Sequence, residues 1–197
     1  PTRAGLLMFG YEYEIVREYP EYFLDYREMG DGARWRDRVV SNDGTWSGGL
    51  FDFWSKVVPR LTAGVKRPFA LSESLQRVED TEMHAAVREA FVNSLVHSRR
   101  GVAALRYPDR IKIENPGSLR IALDVMLAGG VSDARNPTLM KMFGLINACE
   151  KAGSGFDVMR RAAVDAQAPL PAAVESFSPD RIAVTVYLGN AAADQAY

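Results

Sequence analysis

The chain has 197 residues, of which 47% are hydrophobic and 25% are charged, and its formal net charge is −1. This length suits one large domain or two small ones, with a core large enough to need no metal or disulfide. The balance of 24 basic and 25 acidic residues excludes a protein whose binding is dominated overall by attraction to phosphate backbones.

Cys149 is the only cysteine, so a disulfide framework is excluded and a reducing compartment, the cytoplasm, is indicated. No apolar run approaches the roughly 18–20 residues of a membrane span, so we expect no membrane partner. The chain opens with Pro1 rather than Met, and we therefore expect a fragment of a longer protein.

The first half of the chain has the pattern of a small mixed α/β module. Residues 22–28 and 34–40 predict two strands joined by a glycine-containing turn. Apolar residues recur at helical spacing over residues 50–61, which predicts a helix that Pro59 ends or kinks. Residues 70–78 predict a further strand.

The clearest predicted helix runs to about residue 97, because Asp80 or Thr81 can cap its start and apolar residues follow at helical spacing. These apolar residues are Met83, Val87, Phe91 and Leu95. Strand-like segments follow at 102–107 and 110–114, and Pro108-Asp109 between them predicts a hairpin.

Three more elements are predicted toward the end of the chain. Asn136 followed by Pro137 is typical of a helix start, and we expect that helix to run to near Gly153. A second helix is predicted over 156–166, and β-branched residues favour a last strand over 181–188. Helices beside an antiparallel sheet form an α+β layer.

A polar stripe follows the predicted helix, because Glu89, Asn93 and His97 are spaced by four residues. Such a stripe can hold a hydrated Mg²⁺ through the amide oxygen of Asn93 while the carboxylate of Glu89 activates a water. A solvated helix flank explains the same spacing, and the spacing alone favours that interpretation.

Two glycine-containing segments are the other candidate sites. Gly153-Ser154-Gly155 precedes a predicted helix, whose N-terminus can bind an anion, although Gly153 can equally end the helix before it. Asn115-Pro116-Gly117 follows a predicted strand and can read a base edge, or can form an ordinary turn. The sequence contains no Gly-Lys-Ser/Thr, which excludes a P-loop helicase motor.

The order of these motifs resembles the GHKL superfamily of gyrase, heat-shock chaperone, histidine kinase and mismatch-repair ATPases. It is more similar to the divergent ATPase domain of bacterial RecG-related helicases and transcriptional regulators. The segments that carry this closer resemblance are residues 89–97, 113–119, 135–137 and 150–156. Residues 1–10 resemble the segment that follows a Schlafen/Alba-type DNA-binding domain, which implies that such a domain precedes this chain.

The resemblance implies ATP and Mg²⁺ as cofactors and gives the candidate residues their roles. Asn93 is implied as the amide that coordinates Mg²⁺, and Glu89 as the catalytic carboxylate that activates water. Asn115 takes the place of the adenine-reading aspartate, and Gly117 permits close approach. The phosphate-contacting glycine box is represented by Gly153, Ser154 and Gly155.

The chain also departs from the superfamily pattern. An amide at Asn115 accepts a hydrogen bond less strongly than a carboxylate does, and the glycine box stops at Gly155. These departures weaken the case for hydrolysis more than the case for the fold. We expect an α+β chain with a connecting module at 1–75, a GHKL-like domain of helices on a mainly antiparallel sheet at 76–190, and a flexible tail at 191–197.

The leading functional hypothesis is an ATP-binding regulatory domain, with slow hydrolysis assisted by Glu89 and with DNA bound only through the upstream domain. The alternative is a degenerate domain that has kept the fold without the nucleotide and serves oligomerisation or protein interaction. A homo-oligomer is left open under both hypotheses. Direct binding of nucleic acid by this chain has little support from its balanced total charge.

Overall fold

The computed structural model describes residues 2–30, 32, 34–65, 80–98, 100–128, 135–149 and 155–189. Within these residues the chain has the predicted α+β composition, with seven helices and six strands. The helices are α1 (Arg3–Phe9), α2 (Glu12–Glu18), α3 (Leu50–Thr62), α4 (Glu82–His97), α5 (Leu123–Ala128), α6 (Pro137–Leu145) and α7 (Gly155–Asp165). The strands are β1 (Phe23–Met29), β2 (Trp35–Val40), β3 (Gly101–Arg106), β4 (Arg110–Pro116), β5 (Ala172–Phe177) and β6 (Asp180–Tyr187).

The strands form one sheet in the order β2-β1-β3-β4-β6-β5. Every neighbouring pair is antiparallel except β1 and β3, which run parallel, so the expectation of a mainly antiparallel sheet is confirmed. Strands from both sides of the predicted boundary at residue 75 therefore share this sheet. The boundary itself, the predicted strand over 70–78 and the tail at 191–197 lie outside the described residues.

The core lies between the sheet and helices α3, α4 and α7. Thr81 caps α4, and all four apolar residues predicted for its stripe are buried. The ring of Phe91 on α4 contacts the ring of Phe53 on α3, with centroids 5.6 Å apart. Because side chains alternate along a strand, Ile111 and Ile113 of β4 both face these helices, and each is fully buried. This packing makes α4 the central helix of the molecule.

Several boundaries differ from the predictions. Helix α3 continues through Pro59, and α6 ends at Leu145 rather than near Gly153. The end of α6 has a local cause, since Asn147 adopts a left-handed conformation with φ 52°, which asparagine tolerates better than most residues. Neither α2 nor β5 was predicted, because short segments with mixed polarity carry little periodicity. No helix in the described part of the chain has the length and apolar character to cross a membrane.

Candidate functional site

An open cavity of about 150 Å³ lies between α4, the end of β4 and the start of α7. Most of its lining is apolar and comes from α4, α5, α7 and β6. The polar and charged residues of its lining are Asn93, Ser94, His97, Asn115, Ser118, Arg120 and Arg135. An apolar cavity with a few polar groups is typical of a small-molecule site.

Glu89 and Asn93 lie one helical turn apart on α4 and meet the start of α7. The Asn93 side-chain amide donates a hydrogen bond from Nδ2 to Oε1 of Glu89 at 3.1 Å. Glu89 is only 4% exposed and lies behind Asn93 rather than in the cavity lining. A Cβ atom added to Gly155 would lie 2.6 Å from Asn93 Nδ2, so glycine is what lets α7 begin so close to α4. The structure thus brings together two motifs that lie far apart in the sequence.

Asn115 lines the cavity from β4, on the same face of the sheet as Ile113. It is 7% exposed, and its Nδ2 donates a hydrogen bond to the Ser94 carbonyl at 2.6 Å. That bond fixes the orientation of the amide, because only the nitrogen end can donate. Within the described part of the chain, Oδ1 of Asn115 receives no hydrogen bond. The cavity therefore contains an oriented amide whose acceptor end is available to a ligand.

Gly117 lies beside the cavity, and its two neighbours Pro116 and Ser118 line it. Its φ is +111°, which few other residues adopt, and its N–H donates to the Asp180 carbonyl at 2.9 Å. Glycine is therefore required here by backbone conformation, while the space around it is open. Gly153 and Ser154 lie outside the described residues, so Gly155 is the one member of the predicted glycine box that can be placed.

Two cations of the cavity had no role in the sequence interpretation. Arg120 and Arg135 both line it, whereas no aspartate or glutamate is found among the described lining residues. Arg135 donates a hydrogen bond to the Ser118 carbonyl and so holds the two sides of the cavity mouth together. Arg135 belongs to one of the segments that resemble the ATPase family, which was the available signal. The apolar residues Ile182 and Val184 carried no such signal, because they reach the cavity only through tertiary packing.

Cys149 lies near the buried carboxylate of Glu89. Burial, together with the nearby negative charge of Glu89, raises the pKa of the Cys149 thiol to about 11. The thiol is therefore protonated near neutral pH, and a thiolate nucleophile is not what this site offers.

A family described as "Putative ATP-dependent DNA helicase recG C-terminal" matches residues 101–187. Over this range the predicted resemblance is confirmed. The RecG C-terminal match includes Asn115, Gly117 and Gly155, whereas Glu89 and Asn93 precede it. The fold around it is the ATPase-like α+β arrangement that the GHKL resemblance predicted.

One similar solved structure is the DIP2311 protein from Corynebacterium diphtheriae. It is 17% identical, with a TM-score of 0.63 over 86% of this chain and 34% of the other. This chain therefore spans 34% of the length of that structure, and identity this low supports a shared fold alone. No curated protein matches the chain.

Proposed function

We propose that the cavity binds ATP with Mg²⁺ and that this domain is the nucleotide-responsive part of a RecG-related regulatory protein. The observation that carries the proposal is that Asn93, Asn115 and Gly155 converge on one cavity although they belong to three separate segments of the chain. The family match over residues 101–187 supports the same class of ligand.

The end of the cavity near Asn115 suits adenine. The exocyclic amino group of adenine is a hydrogen-bond donor, and the oriented amide of Asn115 presents an acceptor. Guanine carries a carbonyl oxygen at the equivalent position, which would face Oδ1 and repel it. Apolar side chains such as Met159 and Ile182 supply surfaces against which the purine ring can pack. We therefore expect a preference for adenine over guanine nucleotides.

The end near Gly155 suits the phosphates. The first backbone N–H groups of α7 have no partner inside the helix, and the helix N-terminus favours a negative charge. Arg120 and Arg135 add two cations to a lining without acidic residues among its described members. The volume of about 150 Å³ is smaller than a typical drug-sized site of roughly 300–1,000 Å³. We therefore expect the base to occupy the cavity and the phosphates to extend from its mouth.

The residues next to Gly155 fit a magnesium ion and a catalytic carboxylate. The nitrogen end of the Asn93 amide is used by Glu89, so its oxygen is the end left to coordinate a cation. A bound Mg²⁺ neutralises phosphate charge and is commonly held by one or two protein ligands together with the phosphates. Glu89 would be the proton acceptor for water, but it lies behind Asn93 rather than in the cavity lining, so the hydrolysis that we propose is slow. DNA would be bound by a domain that precedes this chain in the whole protein.

The test is a titration of the 197-residue chain with a fluorescent ATP analogue, with and without Mg²⁺. We expect Mg²⁺ to increase the affinity of the wild-type chain, and Asn93→Ala to abolish at least 90% of that increase. The matched control is Asn42→Ala, which removes an exposed amide in a turn outside the cavity lining and should change neither affinity. Equal Mg²⁺ dependence in Asn93→Ala and in the wild type would remove Asn93 from this role.

A second candidate function is supported by the internal contacts of the site. The Asn93 amide already bonds Glu89, and Arg135 already bonds the Ser118 carbonyl, as in a domain that holds its shape without a ligand. Such a degenerate domain would serve oligomerisation or protein interaction. Thermal melting separates the two functions, since a ligand at 100 times its dissociation constant adds about 2.7 kcal/mol. The absence of a shift with adenine and guanine nucleotides would favour the degenerate domain.

A further inference from the structure

The sheet has a second face, opposite the one that packs on α3, α4 and α7. Strand pairing places Asp25, Ala103 and Glu114 side by side across β1, β3 and β4, and the next row holds Arg27, Leu105 and Lys112. The residues between them along each strand, such as Tyr26, Ala104 and Ile113, are fully buried under the helices. We call the surface that carries these two rows the open face.

The open face presents positive charge because its carboxylates lie beneath its cations. Asp25 accepts hydrogen bonds from Arg27 and from Arg38, the latter at 2.9 Å, and its side chain is 4% exposed. Glu114 contacts Lys112 at 2.7 Å and Arg181 at 2.6 Å, and its side chain is 14% exposed. Each carboxylate is thus shared by two cations, so each group of three has one positive charge in excess.

The four cations of these two groups remain accessible. Their side chains are 41%, 30%, 38% and 43% exposed for Arg27, Arg38, Lys112 and Arg181 respectively. Their carboxylate partners hold them in fixed positions, which lowers the entropy lost when a ligand binds. The open face therefore carries accessible positive charge although the net charge of the chain is −1.

Aromatic rings accompany these cations. The guanidinium of Arg38 lies over the ring of Trp35, 5.8 Å from its centroid, and Trp35 is 48% exposed. At the other end of the sheet, the guanidinium of Arg110 on β4 lies 4.4 Å from the ring centroid of Tyr107. Tyr187 of β6 is the strand partner of Arg110. Phe23 lies on the same face of β1 as Asp25 and is 39% exposed. The surface thus combines accessible cations with rings on which a flat group can stack.

We propose that the open face binds single-stranded nucleic acid, with phosphates at the four cations and bases on the aromatic rings. Cationic surfaces with exposed rings bind single strands in this way, and every base offers a face for stacking. A duplex fits less well, because six strands span roughly 24 Å and the major groove is only about 12 Å wide. An acidic peptide would satisfy the cations but leave the rings unused. This site is on the opposite side of the sheet from the nucleotide cavity and does not depend on it.

The test is the fluorescence anisotropy of a labelled oligo-dT of about 20 nucleotides, titrated with the 197-residue chain at several salt concentrations. We expect binding that weakens with salt, because each phosphate contact contributes a slope of about −0.7 for a single strand. The double variant Lys112→Gln/Arg181→Gln should bind about tenfold more weakly at low salt, and its slope should fall by about 1.4.

The matched control is Arg60→Gln/Arg160→Gln. These arginines lie on α3 and α7, are 41% and 40% exposed, and each contacts one carboxylate, so the same charge is lost away from the open face. We expect the control to bind oligo-dT within twofold of the wild type. Trp35→Ala, a change at an exposed ring, should weaken binding without changing the salt slope, because stacking releases no ions.

Three results would overturn the proposal, and all are read on chains that remain folded at the temperature of the titration, as checked by thermal melting. The first is that the wild type shows no salt-dependent binding of oligo-dT. The second is an equal loss in the control double variant, which would reduce the effect to total charge. The third is preferential binding of a duplex or of poly-glutamate over oligo-dT, which would assign the open face to another class of partner. None of these results affects ATP binding, so failure here is distinct from failure of the nucleotide proposal.

Discussion

The two amides of the candidate site are oriented by the same kind of hydrogen bond. Asn93 donates from Nδ2 to Glu89, and Asn115 donates from Nδ2 to the Ser94 carbonyl. In both, the protein uses the donor end and leaves the acceptor end for a ligand. Under the proposed function, a cation at Asn93 and an amino group at Asn115 are both electron-poor, so the two orientations would suit two parts of the same magnesium-bound adenine nucleotide. On this proposal, the amide of Asn115 would serve where the superfamily has an aspartate.

Replacing Asn115 by the aspartate of the superfamily should lower the stability of the fold. In the wild type, Nδ2 of Asn115 donates to the Ser94 carbonyl at 2.6 Å. In Asn115→Asp, an ionised carboxylate would face this carbonyl without a hydrogen bond, which would lower the free energy of unfolding by about 1–3 kcal/mol. Burial and this carbonyl raise the pKa of the new carboxyl in the folded state, so the loss is largest at neutral pH and shrinks as acid protonates it. Thermal melting at pH 7 and pH 5 measures this change.

Asn42→Asp, at an exposed turn, is the control and should show little difference between the two pH values. If Asn115→Asp instead melts at the wild-type temperature at pH 7 and binds ATP more tightly, the bond to Ser94 is not what orients this side chain.

Among the elements, α4 is the reason that part of the site could be predicted from the sequence. Its cap at Thr81 and its apolar spacing predicted the helix, and its low exposure follows from packing against both the sheet and α7. The order of motifs also led to Asn93, Asn115 and Gly155. The strand order, β5 and the apolar lining from β6 were not predictable, because they arise from pairing between segments distant in the chain. The early end of α6 depended on the backbone of a single residue, Asn147.

The pairing of β4 with β6 should depend on pH through Glu114. Burial acts to raise the pKa of Glu114, but hydrogen bonds and charges from Lys112 and Arg181 outweigh it and lower the pKa. A lowered folded-state pKa stabilises the fold above the ordinary pKa of a glutamate and loses that effect as pH falls through the folded value. Glu114→Gln should therefore melt roughly 2–4 °C below the wild type at pH 7, equivalent to about 1 kcal/mol, and the gap should close in acid.

Glu21→Gln provides the comparison for Glu114. Glu21 contacts Arg100, but both side chains are more than half exposed, at 65% and 59%, so this ion pair contributes little. A constant gap between wild type and Glu114→Gln from neutral to acidic pH would show that the ionised carboxylate is not what stabilises the strand pair.

At the scale of the whole molecule, the charge of a surface and the division into domains both depend on how the strands are arranged, and neither follows from the composition of the chain. A net charge of −1 gave little support for nucleic-acid binding, yet the fold places four cations of the open face around Asp25, which is buried, and Glu114, which is partly buried. Likewise, the sequence predicted a connecting module at 1–75 and a separate domain at 76–190, while β1 and β2 from the first belong to the same sheet as β3 to β6. Neither feature can be read from the sequence without the register of the strands.

This topology leads to a prediction about the boundary at residue 75. A chain of residues 76–197 would expose the edge of β3, which pairs with β1 from Phe23 to Glu28, and would leave Phe91 without the ring of Phe53. We expect this chain to lack a cooperative urea transition, since it loses a central strand pair and part of the core. Adding residues 1–75 as a separate chain should restore the transition, because each part supplies the other's missing face. A cooperative transition of 76–197 alone, at the midpoint of the whole chain, would establish it as an independent domain and leave residues 1–75 as an attached module.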